Sequence, residues 1–157
     1  METADISAPS MVERLYKEEG RRLWWALVAY SGDVEVASDA VAEAFAQALG
    51  RGDALTDPLA WIWRVAFRVA AGELKRRRQM DHRLPDVENP SEQRANELVS
   101  LLRQLPEKQR AAIVLHYYAD RPVRDVAAAL RVTPATARVH LHRGRRRLLQ
   151  LLEDHDE

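Results

Sequence analysis

The sequence predicts an all-α protein: two small helical domains joined by a flexible linker, the C-terminal one a helix-turn-helix. Three observations carry this expectation. Apolar residues recur at spacings of three and four along the chain, and no segment alternates with the period of two that marks a half-buried strand. Residues 79–93 hold Pro85 and Pro90 among polar side chains, show no period, and read as a connection. Val123 to Leu152 runs as a short helix, a tight turn and a long basic helix.

In order, residues 1–9 read as disordered. Ser10 and Glu13 form an S-x-x-E capping box, so a helix is expected to start at Ser10. Leu15, Tyr16, Leu23, Trp24, Leu27 and Val28 give it an apolar face, and Gly32 stops it. Asp33 caps a second helix to about Leu49, with Val36 or Ala37, Val41, Ala44 and Phe45 inward. On it Glu35, Asp39 and Glu43 line up at i, i+4 and i+8. Like charges so spaced repel by roughly a few tenths of a kcal/mol per pair, so the stripe needs a reason. A metal is one use, but no histidine stands nearby, and di-iron bundles use Glu-x-x-His. A solvated face or a basic partner fits better.

Gly50 to Asp57 reads as a loop. Asp57-Pro58 is a cap followed by a first-turn proline, opening the third helix. Trp61, Ile62, Val65, Ala66, Val69 and Leu74 are its expected buried side. Trp63, Arg64, Phe67 and Arg68 lie elsewhere around it, and Lys75-Arg76-Arg77-Arg78 ends it. Aromatics interleaved with cations suit stacking on unpaired bases beside phosphate contacts. Tryptophans on helices are more often core, so the use of Trp63 and Phe67 stays open at this point.

Asn89-Pro90-Ser91-Glu92 opens a fourth helix ending near Gln104. Leu105-Pro106 breaks the chain before a fifth, Glu107 to Tyr118, with Ile113, Val114 and Tyr117 inward. Ala119 to Pro122 turns into the helix-turn-helix. Its first helix, Val123 to Arg131, turns Val126, Ala127 and Leu130 inward, and Ala127 is small enough for a close crossing. Thr133 is an N-cap with Pro134 at the first helical position. Ala137, Leu141, Leu148 and Leu152 form the buried stripe of the last helix. Ala135, Arg138, Val139 and His142 form its outer face, the one a helix-turn-helix lays into the DNA major groove. Five arginines fall within ten residues, Arg138, Arg143, Arg145, Arg146 and Arg147. A basic run late in a helix also complements the helix dipole; joined to the helix-turn-helix pattern, it points to DNA.

The formal net charge of zero conceals blocks. Residues 1–60 carry −6, 61–83 carry +5, 84–107 carry −3, 108–152 carry +8 and the last five −4. Two basic blocks imply two nucleic-acid contacts, and the acidic first block implies a basic protein partner. No cysteine is present, which excludes disulfides and thiolate metal sites. His140 and His142 are two apart on a helix, point to different sides and do not make a zinc site. No apolar run spans a bilayer and no signal peptide is seen, so a cytoplasmic location is expected.

On these residues the chain resembles the extracytoplasmic-function group of bacterial RNA polymerase sigma factors, over Leu15 to Leu152. GDVEVASDAVAEAFAQAL resembles the polymerase-binding segment, DPLAWIWRVAFRVAAGELKRRR the promoter-melting helix, and LLRQLPEKQRAAIVLHYYADRPVRDVAAALRVTPATARVHLHRGRRRLLQLL the C-terminal domain. The resemblance implies a docking and minus-10 domain over residues 10–79, a linker over 80–93 and a minus-35 domain over 94–153. It implies that Glu35, Asp39 and Glu43 bind core RNA polymerase. Leu55, Trp63, Arg64, Phe67, Arg68, Lys75 and Arg76 would then hold and melt the minus-10 element of promoter DNA. Thr133, Ala135, Thr136, Arg138, Val139, His142, Arg143 and Arg146 would meet the minus-35 element. It implies an anti-sigma factor as a partner, no cofactor and no catalytic residue, since the chemistry belongs to the polymerase. The chain departs from the family's habits at Leu55, where an aromatic is common, at Phe67-Arg68, where Arg-Asn is frequent, at Gly72, and at Arg131, where the turn usually has glycine. The other reading is a stand-alone helix-turn-helix regulator. That type usually carries an upstream α/β receiver, and residues 1–80 show no strand pattern.

Overall fold

The computed structural model describes residues 8–77, 84–86 and 88–156. Among these residues there are seven α-helices, one 3-10 turn and one π turn, and no strand. The first helix, α1 (Ala8–Ser31), begins two residues before the expected start at Ser10. Gly32 ends it at φ +71°, with its N–H on the Val28 carbonyl at 2.7 Å. The Asp33 side chain then accepts from the N–H groups of Glu35 (2.8 Å) and Val36 (3.2 Å) and opens α2 (Val34–Arg51). Ala37, Ala40, Ala44 and Ala48 are fully buried, so α2 lies close against both α1 and α3. The loop expected from Gly50 is shorter than read: α2 continues to Arg51 and Gly52–Ala54 forms the 3-10 turn. Asp57 caps α3 (Pro58–Arg76) by accepting from the Ala60 N–H at 3.2 Å.

In the second half, Asn89 caps α4 (Pro90–Leu102), which therefore begins inside the segment expected as linker. Next come α5 (Glu107–Ile113) and the π turn (Val114–Tyr118), where the Ala119 N–H reaches back five residues to the Val114 carbonyl at 3.1 Å. The wider turn rotates the register, and Tyr117, expected inward, is 52% exposed. The helix-turn-helix is α6 (Val123–Leu130) and α7 (Pro134–Asp156). Between them Arg131 is left-handed (φ 58°, ψ 44°), the conformation for which glycine is usual. Gly144, mid-helix in α7, marks a close crossing. A Cβ there would stand 2.9 Å from Ile113 Cγ1 and 3.3 Å from the Gln109 carbonyl of α5.

The two halves share one hydrophobic core: α3 packs on α6, and α1 touches α4, α5 and the π turn. This moves the buried face of α3. Ile62, Trp63, Ala66, Phe67, Ala70 and Leu74 are buried, whereas Trp61, Val65 and Val69, expected inside, are half-buried. Full burial of one such large apolar side chain contributes about 1.5–3 kcal/mol.

Candidate nucleic-acid interface

The exposed ridge of α7 starts at its cap. Thr133 Oγ1 accepts from the Thr136 N–H at 3.1 Å and lies 3.0 Å from Thr136 Oγ1. From that fixed end Ala135, Thr136, Arg138, Val139, His142, Arg143 and Arg146 face solvent, and Ala137, Leu141, Gly144 and Leu151 are buried. All eight residues expected to meet the minus-35 element, Thr133 included, lie exposed on this one helix or its cap. His140 points the other way. Burial, then the charges of Lys108 and Arg143, hold its imidazole below the ordinary histidine range. Its Nδ1 is buried and finds no hydrogen-bond partner among the described residues.

The α3 face is arranged differently. Trp63 (2% exposed) and Phe67 (3%), the expected base-stacking pair, are buried here. Their rings stack with centroids 6.3 Å apart, and Phe67 also meets Tyr30 at 5.2 Å. Arg68 donates to the Ala128 carbonyl at 2.7 Å, across the seam between the halves. Its charged form is disfavoured by burial first, then by the like charges of Arg131 and Arg64. Its Nε, buried, has no hydrogen-bond partner among the described residues. Leu55 and Arg64 are half-buried, and Lys75 and Arg76 are exposed at the end of α3, with Arg76 paired to Glu73. The seven residues expected to hold the minus-10 element thus divide between an open basic end and a covered aromatic middle.

The carboxylates of Glu35, Asp39 and Glu43 share one exposed face of α2. A residue missed by sequence reasoning sits among them. Arg77, at the end of α3, pairs with Glu35 at 3.2 Å, Asp39 at 3.7 Å and Glu73 at 3.4 Å. Glu43 accepts from Gln47 at 2.8 Å. The i,i+4 spacing of Glu73 and Arg77 was the available signal for the last pair. Nothing local signals the other two, which cross between helices. Among the described residues no three histidine, aspartate or glutamate side chains gather as a metal site.

Between the halves lies an apolar cleft of about 630 Å³, lined in part by Trp25, Ala29, Leu98, Val99, Leu102 and Tyr117. The ion pair Arg21–Glu92, 3.2 Å, stands at its edge. Among the described residues no helix is long and apolar enough to cross a membrane.

The family profile for sigma-70 region 4 matches residues 95–148, from α4 into the middle of α7. The RNA polymerase sigma-E factor of Streptomyces avermitilis is 31% identical over 131 residues, covering 76% of this chain and 73% of its own length. That of Streptomyces antibioticus is likewise 31% identical, covering 76% and 72%. CnrH, solved in complex with the cytosolic domain of CnrY, shares the fold at a TM-score of 0.72 and 20% identity, over 94% of this chain and 93% of that one. The sigma factor RpoE, solved with the anti-sigma factor NepR from Bartonella quintana, matches at 0.77 and 19% identity, over 92% and 97%. The profile covers the helix-turn-helix half and the Streptomyces relatives span most of the chain: it belongs to the extracytoplasmic-function group of RNA polymerase sigma factors.

Proposed function

We propose that this sigma factor binds core RNA polymerase through the acidic face of α2 and brings it to promoters read at two elements. In this reading α7 enters the major groove at the minus-35 element, Arg138 reading a base edge and Arg143 and Arg146 meeting phosphates. The basic end of α3, with Leu55, Arg64, Arg68 and the aromatic pair Trp63 and Phe67, takes the minus-10 element and its extruded bases. The observation that carries the proposal is one chain with an exposed, capped, cationic reading helix and, in its other half, an exposed carboxylate stripe. A stand-alone regulator needs the first and has no use for the second. The residues present supply binding rather than chemistry, in keeping with a non-enzymatic family acting in the cytoplasm.

An anti-sigma factor is the further partner. The cleft between the halves fits an amphipathic helix whose apolar side chains enter between Leu98, Leu102 and Tyr117. Of the two solved structures that share the fold, the sigma factor RpoE is held by the anti-sigma factor NepR, and CnrH by the cytosolic domain of CnrY.

The test is run-off transcription with core polymerase on a genomic fragment library, with and without this chain. Starts preceded by two shared elements are expected. Failure to bind core would replace the proposal with the stand-alone regulator. Asp39→Arg should weaken core binding through charge reversal; unchanged affinity would leave the stripe a solvated face.

A further inference from the structure

We propose that Arg77 is a built-in competitor for the polymerase: its guanidinium already occupies two of the three docking carboxylates, and the partner must displace it there. The inference concerns the affinity of the docking face assigned above and rests on that assignment.

The geometry follows from where α3 ends. Arg77 closes the helix, its N–H on the Glu73 carbonyl at 3.0 Å, so the root of the side chain is fixed. Its Nε lies 3.4 Å from the Glu73 carboxylate, which is only 17% exposed and anchors the fork on its own helix. The two outer nitrogens then cross to α2, Nη1 to Glu35 at 3.2 Å and Nη2 to Asp39 at 3.7 Å. Glu35 and Asp39 stand one helical turn apart. A planar fork with donors on both sides reaches both, where an ammonium is a single compact charge.

The stripe is therefore uneven. Glu43, one turn further, is met by the Gln47 amide at 2.8 Å and by no cation among the described residues. An incoming cationic partner finds Glu43 open, and at Glu35 and Asp39 it finds a cation to replace. Replacement is feasible because those two side chains stay 67% and 62% exposed with Arg77 in place. An exchange of one cation for another yields less than a new pair, and the Arg77 charge also opposes the approach of a basic surface. A brace between α2 and α3 is the plainer use of Arg77. The two helices already pack through buried apolar side chains along their length, and exposed ion pairs add little to such packing.

The test uses the full chain and core polymerase without DNA. Core affinity is measured for the parent, Arg77→Gln and Arg77→Lys at low and high salt, and the urea midpoint of each is recorded. Glu35→Gln and Glu43→Gln are then placed in the parent and in Arg77→Gln, which forms two double-mutant cycles.

Arg77→Gln should bind core about fivefold more tightly at low salt, a gain that shrinks as salt screens exposed charge. Arg77→Lys keeps the charge, loses the fork and should fall between. Glu35→Gln should cost several-fold more in Arg77→Gln than in the parent, and Glu43→Gln the same in both. A brace predicts the reverse, weaker core binding that tracks a lower urea midpoint. Unchanged or weaker binding by Arg77→Gln would overturn the proposal, as would an equal cost of Glu35→Gln in both backgrounds. Should Arg77→Gln fail to fold, the same cycles in Arg77→Lys decide. Asp39→Arg tests the underlying assignment separately. If it weakens core binding while Arg77→Gln does not tighten it, the docking face stands and the competitor falls; if Asp39→Arg has no effect, both fall.

Discussion

Gly72 and Gly144 both sit inside helices of this chain, and the same substitution at each is expected to act with opposite sign. Gly72 in α3 is exposed, and a Cβ there meets nothing within 4 Å. Gly72→Ala should therefore express its helix propensity alone, a gain of about 0.8–1 kcal/mol. Gly144 in α7 offers the same gain, but its Cβ would come 2.9 Å from Ile113 Cγ1 and 3.3 Å from both Gln109 Cβ and the Gln109 carbonyl. Ile113 is itself buried at 6% exposure, and the carbonyl is backbone, so neither neighbour can simply swing aside. Overpacking of this kind costs roughly 1–3 kcal/mol. The propensity term is common to both sites and cancels in the comparison. Gly144→Ala should thus be less stable than Gly72→Ala by about 1–3 kcal/mol, the overpacking cost alone. In a chain of this size a kcal/mol moves the melting temperature by about 2–4 °C. Urea denaturation of the three proteins, fitted with a shared slope, measures the difference directly. If Gly144→Ala stabilised as much as Gly72→Ala, the close crossing of α5 and α7 would be refuted. Any shift at Gly144 should also reach DNA binding, since that crossing sets the tilt of α7.

Arg131→Gly should stabilise by about 1 kcal/mol, the lower end of the left-handed penalty, read as a higher urea midpoint; a fall would mean that the arginine side chain holds more than its backbone loses. Arg138→Ala should cost roughly 1–3 kcal/mol at one minus-35 position, whereas Arg146→Ala should weaken all sequences evenly. Competition binding on a set of single-base promoter variants separates them, and an even loss for Arg138→Ala would contradict base reading. The pH dependence follows from His140, whose folded-state pKa is lowered by burial and then by Lys108 and Arg143. The unfolded chain then takes up the proton first, so this contribution is present above about pH 6.5 and is lost as the pH falls through that value. His140→Gln should flatten the acid limb of the stability curve, and an unchanged limb would place the proton elsewhere.

The elements with local chemistry were legible. Asp33, Asp57, Asn89 and Thr133 each accept the backbone N–H that their position before a helix implies. The ridge of α7 was legible for a related reason, because a helix packed on one side shows one clean stripe. The errors came where that condition failed. Because α3 is flanked by its own bundle and by α6, its apolar arc is wide, and reading one stripe chose Trp61 over Trp63. Tyr117 was misplaced because the helix changes hydrogen-bond step at Val114, and no residue there announces the change. The seam itself had no signature, since Arg68 and Ala128 are sixty residues apart and unremarkable alone. Arg77 reads as one cation in a run of four until the fold brings α2 beside it.

The π turn has a bearing on how this chain tolerates changes of length. An α-helix advances by about 100° for each residue, so one residue more or fewer in its regular part re-aims everything beyond it. A π turn is wider and takes one residue more through roughly the same rotation. Val114–Tyr118 therefore absorbs a residue just before the turn into α6. Losing one residue there would restore ordinary helical bonding and leave the exit aimed much as before. The same loss from α5, which has no such slack, would swing the reading head about a quarter of the way round.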